Sequence, residues 1–223
     1  MTAPIRDFQA DLVRSGPAPL YPVAGKRALD LAMLLTALPV LLAAVAVIAL
    51  ALRLAGGKVF YAQWRVGRNG RLFRCWKFRT MVDDAEVALQ QILATDPVRA
   101  AEWARFQKLS GDPRITAVGR FLRRTSLDEL PQFWNVLRGE MSLVGPRPFT
   151  PEQAPLYLGG RRDVAYYRMR PGITGLWQIG PRNTAGFGER ALADHDYAET
   201  LSLRTDVSIL LRTVGVVLAA RGG

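Results

Sequence analysis

The run Leu31-Ala32-Met33-Leu34-Leu35-Thr36-Ala37-Leu38-Pro39-Val40-Leu41-Leu42-Ala43-Ala44-Val45-Ala46-Val47-Ile48-Ala49-Leu50-Ala51-Leu52 holds no charged residue in 22 positions. As a straight helix it would measure about 33 Å at ~1.5 Å per residue, enough to cross a bilayer core. Pro39 divides it into pieces of 8 and 13 residues, neither of which spans alone. Proline removes a backbone hydrogen bond and clashes with the preceding turn. Both flanks are basic: Lys26 and Arg27 come before, and Arg53, Lys58, Arg65, Arg68, Arg71, Arg74, Lys77 and Arg79 follow with no acid until Asp83. Positive flanks favour the cytoplasmic side. A spanning helix sends one flank across, whereas a helix that enters, breaks and returns keeps both inside. From the residues alone the kinked span and the re-entrant helix stand level.

Composition sets the outer limits. The 223 residues are 49% hydrophobic and 22% charged, and 30 basic against 19 acidic side chains leave a net charge of +11. The length suits one ordinary domain plus a membrane element, or two small domains. The surplus charge favours anionic partners: nucleic acid, anionic lipid or phosphorylated substrates. Nucleic acid is disfavoured, because no recognition motif accompanies the charge and the uncharged run argues against it. Cys75 is the single cysteine and His195 the single histidine. That excludes an internal disulfide, a thiolate metal cluster and a His-rich zinc site. No G-x-S-x-G motif supports a triad on His195.

Moving outward, residues 1–25 carry Pro4, Pro17, Pro19 and Pro22 and read as a loose arm without the pattern of a signal peptide. Val59–Gln63 and Leu72–Phe78 are rich in aromatic and β-branched residues, with the turn pair Asn69-Gly70 between them, and predict a β-hairpin. Asp83–Ala94 reads as a helix. Thr95 or Asp96 caps the next, with Pro97 in its first turn, and that helix runs to about Leu109. Its face of Trp103, Arg105, Phe106 and Lys108 suits either a solvated helix with buried aromatics or one lying in lipid headgroups. From Leu201 to Leu218 the spacing predicts a helix with an apolar stripe of Leu203, Val207, Leu210, Leu211, Val214 and Leu218, facing the domain or the membrane.

Unusual side chains concentrate between Asp112 and Pro148. Ser126-Leu127-Asp128-Glu129-Leu130-Pro131 precedes a short apolar helix, Gln132–Leu137, and Ser126 with Glu129 matches a capping box. A helix N-terminus stabilises a carboxylate, so Asp128 is expected to be ionised at neutral pH. Two acids at such a place are commonly helix caps. Here Arg120, Arg123 and Arg124 lie upstream and Arg147 follows in Gly145-Pro146-Arg147-Pro148. A carboxylate among arginines also suits a nucleophile that works where phosphate is held. A second, adjacent carboxylate suits Mg2+, which completes its octahedron with substrate oxygens and water. Neither a Walker loop nor G-x-G-x-x-G is present.

These segments resemble the bacterial sugar transferases, the monotopic phosphoglycosyl transferases. The matching stretches are Lys26-Arg27-Ala28-Leu29-Asp30; Lys77-Phe78-Arg79-Thr80-Met81; Asp112-Pro113-Arg114-Ile115-Thr116 with Gly119-Arg120; Ser126 to Gln132; Asn135 to Ser142; Gly145 to Pro148; and Arg170-Pro171-Gly172-Ile173-Thr174-Gly175-Leu176-Trp177-Gln178. Any one is short and weak, but their number and order are specific, and they cover about Lys26 to Leu218. The chain departs from the pattern at Gly180-Pro181 before Arg182-Asn183, where the family often has Ser-Gly, and at Leu38, where some relatives have serine.

The resemblance implies an α/β fold that is mainly helical, with a re-entrant membrane helix, interfacial amphipathic helices and a small β-hairpin. Its parts would be a flexible arm (1–25), the re-entrant helix broken at Pro39 (26–55) and a catalytic domain on the cytosolic face (56–223), the minimal form of a family whose larger members add spanning helices. It implies that Asp128 attacks the sugar-linked phosphorus of a nucleotide diphospho-sugar, a UDP-hexose by the same resemblance. The phospho-sugar then passes to undecaprenyl phosphate, and surface glycan synthesis begins. Glu129, with Asp128, would serve Mg2+. Pro146 and Arg147 would contact the nucleotide end, and Arg79, Arg120 and Arg182 the substrate. The expected location is the cytoplasmic face of a bacterial inner membrane, against anionic lipid. A homodimer or a glycan-assembly complex stays open, as does the sugar. Two rival readings remain: a Mg2+-dependent lipid phosphatase using the same acids, and a basic membrane-bound scaffold with no chemistry.

Overall fold

The computed structural model describes residues 21–159, 165–180 and 189–218. The apolar run lies in one helix, α1 (Lys26–Leu54), which continues through Pro39. The two-piece helix expected there is a single element. Proline costs a helix interior one hydrogen bond and about 3 kcal/mol, but the turns on either side keep their own bonds. Fifteen favourable positions beyond it, mostly Val, Leu and Ala, carry the helix on. Only 6% of its most apolar stretch is buried, and Leu35, Val40, Leu42, Val47 and Leu50 are exposed. A core helix of a soluble domain would be covered, so this surface calls for a lipid environment.

Polar anchors hold the N-terminal end of α1. Lys26 Nζ donates to Asp206 Oδ2 at 2.6 Å and to the Tyr197 hydroxyl at 2.9 Å. Arg27 donates to the carbonyls of Val136 (2.6 Å) and Leu137 (3.0 Å). Asp30 accepts from Ser142 Oγ at 3.0 Å and from the Leu143 amide at 2.9 Å. At the other end Leu52 packs with Phe78 and Leu122. Both ends of α1 thus rest on the same folded body. Just before it, Tyr21–Gly25 form a π-helical turn and Tyr21 donates to Asp206 Oδ2 at 2.6 Å, so the end of the expected arm is anchored. Residues 1–20 lie outside the described residues.

The hairpin forms from β1 (Phe60–Val66) and β2 (Leu72–Phe78), paired from Phe60↔Phe78 to Val66↔Leu72. Asn69 and Gly70 take φ +57° and +71° at its turn, a region that Asn and Gly enter most easily. Helices α2 (Ala85–Thr95) and α3 (Pro97–Phe106) follow, and the Asp96 carboxylate caps α3 by accepting from Val98 (3.0 Å) and Arg99 (3.1 Å). On α3, Trp103 stacks under the Arg114 guanidinium, 5.5 Å from the ring centre. Next come α4 (Ala117–Arg124) and α5 (Gln132–Leu137).

A second, parallel strand pair was not legible in the sequence: β3 (Ser142–Val144) beside β4 (Gly172–Thr174), with Ser142↔Gly172 and Val144↔Thr174. Three residues per strand are too few to show a periodicity. The pair brings Gly145 against Gly172 so closely that a Cβ on Gly172 would stand 2.1 Å from the Gly145 nitrogen. Two of the sequence motifs therefore meet backbone to backbone.

The remaining helices are α6 (Ala154–Leu158), α7 (Leu176–Ile179), α8 (Arg190–Thr200) and α9 (Leu203–Leu218). His195 is exposed on α8. On α9 the buried residues are Asp206 and Ile209, whereas Leu203, Val207, Leu211 and Val214 of the apolar stripe face outward. The fold is thus mainly helical with a small antiparallel hairpin, as expected.

Candidate functional site

Asp128 and Glu129 sit in a short 3-10 turn, Leu127–Glu129, between α4 and α5. The capping box expected at Ser126 does not form. Ser126 adopts φ +58° and its side chain caps nothing. A left-handed serine costs about 1 kcal/mol or more, and here it folds the chain sharply back after α4. The Ser126 amide still closes on the Arg123 carbonyl at 3.1 Å.

Position is imposed on the turn from both sides. Upstream, Gly119 of α4 packs so tightly on Thr80 that a Cβ would stand 2.0 Å from the Thr80 carbonyl oxygen, and Arg123 Nε donates to Thr80 Oγ1 at 2.9 Å. Downstream, Asn135 of α5 is fully buried and pinned to β2: it accepts from the Trp76 amide (3.1 Å) and donates to the Arg74 carbonyl (2.8 Å) and Glu140 Oε2 (2.6 Å). The acid pair is thereby held against the open face of the hairpin.

A small, partly open cleft lies there, lined by Arg65, Cys75, Lys77, Glu129, Gln132, Arg147, Pro148 and Gly172. Lys77 Nζ donates to Glu129 Oε1 at 2.6 Å and stands 3.7 Å from Asp128 Oδ2. Arg147 Nη2 donates to the same Glu129 Oε1 at 3.0 Å. Burial pushes the Asp128 carboxyl above its ordinary range; Lys77 opposes that and the Glu129 charge adds to it. Burial acts likewise on Glu129, but the Arg147 and Lys77 charges outweigh it and hold that carboxyl well below its ordinary range. The expectation that a helix terminus would keep Asp128 low is reversed. A three-residue turn has little dipole, and desolvation beside a second carboxylate is the stronger effect. Burial also raises the Cys75 thiol.

The structure gathers Asp128, Glu129 and Arg147, and seats Pro146 beside them, its carbonyl accepting from the Gly172 amide at 2.8 Å. It does not bring Arg79 into the cleft lining: Arg79 bonds the Gly56 carbonyl and Asp83 (3.2 Å), fastening the exit of α1 to the end of β2. Arg120 is exposed and turns onto the Ile115 carbonyl at 2.9 Å. Arg182 lies outside the described residues. Lys77 was missed as a site residue, although its alternation with Cys75 and Phe73 on one hairpin face was readable. Arg65 was missed too.

Among the described residues no group of three or more His, Cys, Asp or Glu side chains is placed to hold a metal. Asp128 and Glu129 are adjacent carboxylates of the kind that hold Mg2+ together with phosphate and water oxygens, and here Glu129 Oε1 is shared by Lys77 and Arg147.

Comparison with known proteins follows the same line. The chain matches the family model described as bacterial sugar transferase over residues 21–220. It is 48% identical over 198 residues to a UDP-galactose-lipid carrier transferase of Erwinia amylovora, covering 88% of this chain and 41% of the relative. It is 50% identical over 168 residues to an undecaprenyl-phosphate galactose phosphotransferase of Salmonella typhimurium, covering 75% of this chain and 35% of that protein. With the exopolysaccharide production protein ExoY of Sinorhizobium fredii it shares 44% over 167 residues, 75% of this chain and 73% of the relative. The chain thus spans well under half the length of the first two.

Proposed function

This chain belongs to the bacterial sugar transferase family, and we propose that it transfers a sugar 1-phosphate from a nucleotide diphospho-sugar, a UDP-hexose, to undecaprenyl phosphate through a covalent Asp128 intermediate. The observation that carries this is the juxtaposition of the buried Asp128 with Glu129, Lys77 and Arg147 of the cleft lining. One carboxylate, Glu129, is held charged by two cations. The other, Asp128, stands 3.7 Å from Lys77 with no direct hydrogen bond to it, and so keeps an oxygen for reaction.

An Asp128 oxygen bonds to the sugar-bearing phosphorus, the bridging P–O bond breaks, and its electron pair leaves with the nucleoside monophosphate. Lys77 and Arg147 neutralise charge on the phosphate oxygens as this happens. The phosphate oxygen of undecaprenyl phosphate then attacks the same phosphorus, the P–O bond to Asp128 breaks, and the carboxylate is restored. Mg2+ held by Glu129 and Asp128 would supply further neutralisation of the diphosphate. Arg147 and Pro146 serve the nucleotide end.

The anchoring of α1 supports a re-entrant, monotopic placement. A helix that crosses the bilayer sends its two ends to opposite sides, yet Lys26, Arg27 and Asp30 at one end and Leu52 at the other are bound by one body. A proline inside a helix, as Pro39 is in α1, is the usual place for the bend that such a path needs. The basic flanks support placement on the cytoplasmic face of the inner membrane, and anionic headgroups suit the +11 charge. Names of relatives that cite exopolysaccharide production support a role at the start of surface glycan synthesis.

The test is release of UMP from UDP-sugars, offered one at a time with Mg2+ and undecaprenyl phosphate to detergent-purified protein. Asp128→Asn is expected to lower turnover by about three orders of magnitude or more. Full activity in Asp128→Asn would reduce Asp128 to a structural residue. Free sugar phosphate in place of a lipid-linked sugar would make the enzyme a hydrolase.

A further inference from the structure

Arg65 is the unexplained charge of the cleft. Cross-strand pairing places it on the hairpin face that also carries Phe73, Cys75 and Lys77: Arg65 pairs with Phe73 and Gln63 with Cys75. Lys77, Cys75 and Arg65 therefore run in a diagonal row along the cleft floor. Lys77 marks the end near Asp128. Arg65 marks the far end, where its Nη1 donates to the Pro148 carbonyl at 3.2 Å and its Nη2 to Gln63 Oε1 at 2.6 Å. Both acceptors are neutral, and among the described residues Arg65 makes no ion pair with a carboxylate.

Charge balance in the cleft makes this unusual. The lining contains Arg65, Lys77 and Arg147 but only one carboxylate, Glu129, and Glu129 is already shared by Lys77 and Arg147. Burial, with repulsion from Arg147, lowers the Arg65 pKa. A half-buried guanidinium beside another cation and without a counter-charge is costly unless an anion completes the site. Its planar fork is already aimed by two hydrogen bonds, which suits bidentate capture of phosphate oxygens.

We propose that Arg65 is a phosphate-binding residue of this cleft and that, with Arg147, it clamps the phosphate that departs with the nucleoside. The inference rests on the transferase reading above. It divides the diphosphate between two ends: the transferred phosphate lies at Lys77 and Asp128, and the leaving phosphate at Arg147 and Arg65. A nucleoside diphosphate fits because its two phosphates need two cationic stations one after the other.

The experiment measures UMP and UDP binding calorimetrically to the full chain in detergent, for wild type, Arg65→Met and Arg65→Lys. Arg65→Met is expected to weaken UMP at least tenfold while the nucleotide-free melting midpoint stays within a few degrees. Arg65→Lys, which keeps the charge but loses the fork, should recover only part of that affinity. A purely architectural Arg65 would show the opposite: a lower midpoint with UMP affinity unchanged, which would overturn the proposal. If Arg65→Met does not fold, Arg65→Lys carries the test, and wild-type UMP affinity in that variant overturns the proposal. Failure of wild type to bind any nucleoside mono- or diphosphate removes the transferase reading itself, whereas equal binding by wild type and both variants removes only the role of Arg65.

Discussion

Lys77 Nζ lies 2.6 Å from Glu129 Oε1 and 3.7 Å from Asp128 Oδ2, so one ammonium serves both carboxylates of the site. Its nearer bond keeps Glu129 charged, and its longer contact opposes the upward push of burial on Asp128. The two acids are thereby driven apart in acidity, which suits a division into a charged holder and a reacting group.

The pH profile should register this. The proposed reaction needs Asp128 unprotonated, and its pKa is raised, so the acid limb is expected above the ordinary aspartate value of about 3.9. Glu129→Gln removes a like charge and should move that limb to lower pH. Lys77→Met removes a stabilising cation and should move it higher. Initial rates of UMP release from pH 4 to 9 check both, and limbs that coincide with wild type would sink the coupling.

Stability should move in the opposite sense to activity at Asp128. A folded pKa above the unfolded one contributes stability below the unfolded value, and that contribution is lost as pH rises through the folded value. At neutral pH the ionised Asp128 therefore weakens the fold, and Asp128→Asn should raise the melting midpoint by a few degrees, at about 2–4 °C per kcal/mol for this size. Glu129 has the reverse sign: its depressed pKa stabilises at neutral pH and is lost on acidification. That contribution is intact at pH 5 and is lost only as pH falls below the ordinary glutamate value of about 4.5, so melting curves of Asp128→Asn and Glu129→Gln at pH 3, 5 and 7.5 separate the two.

Asn135→Leu should be strongly destabilising. It would leave the Trp76 amide and the Arg74 carbonyl without partners under α5. Each orphaned buried group costs about 1–3 kcal/mol. A loss of 3 kcal/mol or more is expected in denaturant unfolding, with activity lost at the same denaturant concentration as α5 docking.

The Lys26–Asp206 pair, 2.6 Å apart and buried, joins the start of α1 to α9. Lys26→Met or Asp206→Asn alone should cost about 3–5 kcal/mol, because each strands a buried partner. Lys26→Met combined with Asp206→Asn closes a double-mutant cycle, and thermal unfolding of the four proteins measures the coupling.

Ala24 and Lys58 flank α1 and are both exposed. If α1 enters and leaves on one face, Ala24→Cys and Lys58→Cys should both react with a membrane-impermeant maleimide in inside-out vesicles and neither in right-side-out ones. Cys75 is buried and should stay silent. Labelling from opposite sides would make α1 a true span.

Local signals determined much of this protein from sequence alone. The 22-residue apolar run dictated a long exposed helix, Asn69-Gly70 a hairpin, and Asp96-Pro97 a helix start. Asp128, Glu129 and Arg147 were legible as a group because carboxylates among arginines are rare without a reason. Tertiary structure alone decided the rest, since it depends on which distant backbones meet. Arg79 and Arg120, read from sequence as phosphate contacts, turn onto the Gly56 and Ile115 carbonyls outside the cleft lining. Lys77 and Arg65 looked like flanking charge, and strand register turned them onto the cleft floor. The direction of the Asp128 shift followed from burial and a neighbouring charge, which no helix-cap pattern encodes.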